Sequence, residues 1–131
     1  GGVLDATRAY LRGELPGQTA GARRDHPMKQ VGWAQMQLRH QQARALLYRA
    51  VDEATLDPDE DALVLGWSAA YTVMEHAAEV ASTAIRVCGG QAMLKHMPLE
   101  RMYRDARLGS LMLPWSAEVC LERLATARLY D

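Results

Sequence analysis

The amino-acid sequence predicts an all-α fold, an antiparallel up-and-down four-helix bundle with an additional C-terminal helix. Alanine (21), leucine (17) and arginine (13), all strong helix formers, dominate the 131 residues. Valine, isoleucine and threonine together number 15, with one isoleucine and no phenylalanine, which leaves little material for a sheet. Apolar residues recur at steps of three and four over long stretches, divided by proline and glycine. The length supports one domain with one core.

The first helix is predicted over about Val3 to Arg12, with Val3, Thr7, Tyr10 and Leu11 on one side. It starts in helical stride with no Ser, Thr, Asp or Asn cap, which suggests a chain cut from something longer. Gly13 to Pro27, with two prolines, three glycines and the run Arg23-Arg24-Asp25, reads as an exposed loop. The second helix spans about Pro27 to Ala54. Trp33, Met36, His40, Ala43, Leu47, Ala50 and Ala54 form its packing seam. Leu56 to Glu60 is the turn, its acids placed to favour the next helix N-terminus.

The third helix, about Asp59 to Cys88, is the most regular. Leu63, Trp67, Ala70, Met74, Ala77, Ala81, Ala84 and Cys88 keep the three-four stride, small residues alternating with large ones so that neighbours can approach closely. Gly89-Gly90 ends it as a C-cap would. A loop follows from Gln91 to Met97. Pro98 then suits the first turn of a fourth helix that runs to about Met112, where Pro114 breaks it. The last helix covers about Trp115 to Leu129. Short links between long helices make antiparallel neighbours.

Composition narrows the function classes. A formal net charge of −1 offers no electrostatic footprint for nucleic acid or an anionic membrane. The longest nearly apolar stretch, Ala62 to Met74, is too short for a bilayer, which needs about 20 residues. Cys88 and Cys120 lie among apolar neighbours and read as reduced, buried thiols. No basic region followed by an apolar run opens the chain. The expected location is cytoplasmic.

Few constellations carry chemistry by themselves. Glu75, His76 and Glu79 give His-x-x-Glu once, whereas a di-iron bundle needs Glu-x-x-His twice, so a helix-packing face is the better reading. His26, His40 and His96 have no cysteine or acid at ligand spacing, and no metal is expected. Arg101, Arg104 and Arg107 line one side of the fourth helix. The i,i+4 pairs Glu100–Arg104 and Arg101–Asp105 would consume two of them and leave Arg107 the freest. Gly89-Gly90 alone makes neither a dinucleotide fingerprint nor a phosphate loop.

The run Arg86-Val-Cys-Gly-Gly-Gln91, followed by Pro98-Leu-Glu-Arg-Met-Tyr-Arg-Asp-Ala-Arg107, resembles the C-terminal helical domain of acyl-CoA dehydrogenases. That family carries an apolar helix ending in Gly-Gly, a short loop, then Pro-x-Glu-(Arg/Lys)-x-x-Arg-Asp-Ala-(Arg/Lys). Val3-Leu-Asp-x-Thr-x-x-Tyr-Leu11 is similar to the domain's first helix, and Gln30 to a glutamine opening the second. The resemblance covers essentially residues 1–131. It implies the last of three domains, the N-terminal helical and middle β-domains lying outside this chain. The implied activity is FAD-dependent α,β-dehydrogenation of an acyl-CoA-type thioester, in a homo- or hetero-oligomer, dimer or tetramer. In that oligomer this domain contributes flavin contacts and the core of the assembly.

Departures accompany the resemblance. The family's commonest catalytic glutamate falls on Leu113, and a leucine abstracts no proton. No catalytic residue is therefore assigned within the chain; some relatives place the glutamate before the first helix. The family's Arg-x-x-Phe-Gly motif, which reaches FAD phosphates, is not reproduced: the loop offers Arg12, Arg23 and Arg24 without a phenylalanine. The glutamine three residues before Gly-Gly becomes Arg86, while Gly89 and Gly90 keep their places, so the implied cofactor-binding residues are Arg86, Gly89 and Gly90. Arg86 suits either a pyrophosphate or a surface ion pair. Two alternatives share the fold: a flavin-dependent monooxygenase, which dispenses with the glutamate, and a non-catalytic partner subunit. The chain alone is expected to be inactive.

Overall fold

The computed structural model describes residues 1–15, 18 and 22–130. Five α-helices follow in order: α1 (Gly2–Arg12), α2 (Pro27–Asp52), α3 (Glu60–Cys88), α4 (Leu99–Gly109) and α5 (Ala117–Leu129). Short 3-10 turns lie at Ala22–Asp25 and Gly90–Met93. The described residues contain no strand. The fold is the expected helical bundle plus a C-terminal helix. Of the expected loop Gly13–Pro27, residues 16, 17 and 19–21 lie outside the described residues; the remainder includes the first 3-10 turn.

The longest helix organises the rest: α3 packs against α1, α2, α4 and α5. Its start is capped by Asp59, whose carboxylate accepts a bond from the Ala62 N–H at 2.8 Å, with Glu60 and Asp61 in the first turn. Its end is set by Gly89, at φ 80°, whose N–H donates to the Ile85 carbonyl at 2.8 Å. A side chain is strained at that φ, so glycine is required there. Gly13 also ends α1 at a positive φ, 72°, in the left-handed helical region.

The main core sits where α1, the first turns of α2 and the last turns of α3 meet. Leu4, Tyr10, Leu11, Met36, Val80, Ala84, Val87 and Leu99 are buried together there. At Gly32 a side chain of α3 packs directly on the α2 backbone: a Cβ on Gly32 would lie 2.4 Å from Val87 Cγ2. Beyond this region the seams are looser than the strides suggest. Leu47 and Leu63 are each 40% exposed, and Gly32 and Met36 are the buried residues of α2. A three-four stride also fits a face left to meet something outside the chain.

Helix ends differ in four places, the first being α2, which stops at Asp52 instead of Ala54. Helix α4 stops at Gly109 instead of Met112, because the Ser110 hydroxyl donates to the Arg107 carbonyl at 3.1 Å and the Ser110 carbonyl accepts from Ala117 N–H at 3.0 Å. The chain therefore turns back before Pro114 is reached. Helix α5 begins at Ala117, not Trp115, with Ser116 as the N-cap accepting from Val119 N–H at 3.4 Å. Pro98 is the N-cap of α4 and precedes its first turn.

Enlarging Gly32 tests the close approach of α2 and α3. Gly32→Leu is expected to lower stability by about 1–3 kcal/mol through overpacking, read as a lower urea midpoint, with Gly32→Ala less affected. A Gly32→Leu chain as stable as the parent would show that the helices are not in contact there.

Candidate cofactor-contact site

The C-terminal end of α3 gathers the residues singled out by the sequence. Val87 and Cys88 face the core, whereas Arg86, Gly89 and Gly90 are exposed. Arg86 and Gly89 line a groove of about 440 Å³ with Lys29, Gly32 and Gln35 from α2. Gly90 opens the 3-10 turn that leads toward α4. Thus the structure brings Arg86 and Gly89 into one concave surface with the start of α2.

Across the α2–α3 contact, the Lys29 ammonium donates to the Val87 carbonyl at 3.0 Å, supplying a partner for an orphan group of the last helical turn. The same ammonium lies 5.7 Å from the centre of the Tyr10 ring. Arg23, on the 3-10 turn, lies over that ring at 5.1 Å. Both distances fall within cation–π range. Tyr10 is 4% exposed, so its face is a fixed apolar platform. Arg23 Nη1 is buried and has no hydrogen-bond partner among the described residues.

Charge pairing around the groove is uneven. Arg12 pairs with Glu14 at 3.5 Å and Arg24 with Asp25 at 3.8 Å. Among the described residues, Arg23, Lys29 and Arg86 have no carboxylate within salt-bridge range. The sequence pointed to Arg86 alone of these three as a contact. Arg23 and Lys29 were hidden because only the folded chain carries the 3-10 turn back over the first helix. The aromatic in the first helix followed by a basic run was the one signal available.

Other sequence candidates resolve into packing. Arg39 binds Glu79 across α2 and α3, and the His76 imidazole Nδ1 lies 3.1 Å from the Arg39 carbonyl. Glu75 faces Arg107 at 3.8 Å, so Arg107 is not the free cation of α4. Glu100 and Arg104 form the expected pair; Arg101 has no carboxylate partner among the described residues. No group of three or more His, Cys, Asp or Glu side chains could hold a metal ion among the described residues. No helix among them is long and apolar enough to cross a membrane.

Leu113 stands 80% exposed between α4 and α5, before a cis peptide to Pro114. Residues 110–116 (Ser-Leu-Met-Leu-Pro-Trp-Ser) include no acid and so no proton acceptor of carboxylate type. Cys88 and Cys120 are free and buried. Burial pushes the Cys88 thiol up to about 11 against the opposing pull of Lys29 and Thr7, so it stays protonated at neutral pH.

His40, between α1 and α3, gives the chain a pH response. Burial first, then the charge of Arg44, lower its pKa below 6.5, while Asp5 pulls the other way. The folded state therefore favours neutral imidazole. The stability this contributes is present above about pH 6.5 and is lost as pH falls through the lower folded value. The urea midpoint is expected to drop between pH 7.5 and 5.5, and His40→Gln to reduce that drop. An unchanged drop in the variant would assign the acid sensitivity elsewhere.

The family model described as "Acyl-CoA dehydrogenase, C-terminal domain" matches residues 2–126, nearly the whole chain. No curated protein sequence matches the chain. The stretch matched includes the start of α2 and the α3 end, which line the groove, and also the Pro-x-Glu to Arg-Asp-Ala helix. The chain belongs to the acyl-CoA dehydrogenase C-terminal domain family.

Proposed function

We propose that this chain is the C-terminal helical domain of an FAD-dependent acyl-CoA dehydrogenase-like oxidoreductase that introduces a double bond between the α and β carbons of an acyl thioester. The observation that supports it is the α3 end. There, Arg86 and Gly89 share a groove with Lys29, and these cations lack acidic partners among the described residues. A phosphate-bearing cofactor fits this donor set: Lys29 and Arg86 donate from the groove, Arg23 Nη1 on the 3-10 turn is a buried donor with no acceptor among the described residues, and Gly89 and Gly90 carry no side chain to obstruct an approach.

In this reading Arg86 neutralises cofactor phosphate, and Gly89 and Gly90 offer backbone at close range. Bound FAD supplies the two-electron acceptor for the reaction. The remaining work of the domain is positional: α3 holds the cation cluster at a fixed distance from the rest of the bundle. The α4–α5 loop offers a leucine where the commonest family pattern has its glutamate, so the proton acceptor comes from elsewhere in the complete enzyme. Exposed apolar side chains on α2, among them Val31, Leu38, Tyr48 and Val51, suit packing against a sister subunit in a dimer or tetramer.

Leu113 favours one second reading. A flavin-dependent monooxygenase of the same fold needs no carboxylate base at that place. Anaerobic addition of acyl-CoA thioesters to the flavin-loaded, full-length protein distinguishes the two. Dehydrogenation is expected to bleach the oxidised flavin band. No bleaching with short, medium or long acyl chains, together with oxygen uptake when reduced flavin is supplied, would replace the dehydrogenase reading by the monooxygenase one.

A further inference from the structure

We infer that the apolar groove between the start of α1 and the middles of α2 and α3 is a second binding site, which takes a small carboxylate with an aliphatic tail and pairs its head with Arg44. This groove shares no lining residue with the one at the end of α3. The inference is therefore independent of the flavoprotein reading above.

The walls set the tail. Val3 and Leu4 of α1, Leu47 of α2, and Val73 and Val80 of α3 surround a space of about 300 Å³, at the lower end of the range for small-molecule sites. Ala43 and Ala77 leave it open, since a longer side chain at either place would fill it. Leu47 stands 40% exposed along this trough, so an aliphatic chain laid there removes apolar surface from water on both sides.

The charge sets the head. Of the polar lining groups, His76 is committed to the helix pair, its Nδ1 donating to the Arg39 carbonyl at 3.1 Å. Arg44 lies one turn after His40 on α2 and has no carboxylate within salt-bridge range among the described residues. The other two arginines of α2 each have one: Arg39 pairs with Glu79 and Arg49 with Glu53. Arg44 instead lies over the Tyr48 ring, 5.1 Å from its centre, which steadies the guanidinium without neutralising it. A bare anion would answer this charge and leave the walls wet; an alkane would do the reverse. A single carboxylate on an aliphatic chain meets both, and one cation calls for one negative charge.

Calorimetric titration of the chain with hexanoate, octanoate and octanol tests the site. Octanoate is expected to bind about tenfold more tightly than hexanoate, from two more buried methylenes. Arg44→Gln is expected to weaken octanoate by about fivefold or more and octanol by less than about twofold. Ala77→Trp, which fills the groove from an exposed position, is expected to weaken both by about tenfold or more. Arg123→Gln, a matched loss of charge on α5, should leave octanoate within about twofold. Absence of octanoate binding, equal losses in Arg44→Gln and Arg123→Gln, or octanoate binding untouched by Ala77→Trp would overturn the inference.

Discussion

The close approach of α2 to α3 at Gly32 is the constraint on which the rest of the structure depends. With no side chain at that position, the Val87 methyl can press against the α2 backbone. Lys29 lies one turn earlier on α2, and the same approach brings its ammonium within 3.0 Å of the Val87 carbonyl. A larger residue at Gly32 would push the helices apart and carry Lys29 away from the end of α3. Packing and charge placement thus share one cause. The interior contact decides where an exposed cation stands.

From that contact the site follows by short steps. Gly89 ends α3 in a conformation that glycine adopts without strain, and the next residues turn toward α4. Tyr10, buried by α1, offers its ring to cations arriving from the 3-10 turn and from α2. The bundle gives these groups fixed positions because α3 packs against every other helix. Acids elsewhere in the domain are spent on structure: Asp59 caps α3, Glu79 binds Arg39, and Glu75 faces Arg107. At the α3 end Arg23, Lys29 and Arg86 have no such acid among the described residues.

Much of this fold was legible in the sequence because its signals are local. Asp59 before an apolar run, Gly89-Gly90 after one, and the proline at Pro27 each mark an element by the chemistry of a single turn. The helix ends near Pro114 were less legible, because Ser110 and Ser116 set them through hydrogen bonds that no stride reveals. The seam residues Leu47 and Leu63 show the limit of periodicity, which reports an apolar face and not what covers it. For the site, Arg86 and the Gly-Gly pair could be named from the run they belong to. Arg23 and Lys29 could not, since their meeting over Tyr10 joins three segments that only the fold brings together. Arg107 looked free for the same reason, its acid lying on a different helix.

The central claim is that the end of α3 and the elements packed on it form one cofactor-contact surface. Hydrogen–deuterium exchange of the chain with and without FAD tests this most directly. The account expects slowed exchange concentrated in residues 22–32 and 86–93, with α5 unchanged. Slowed exchange confined to α5 or the α4–α5 loop, or none anywhere under conditions where FAD is bound, would contradict it.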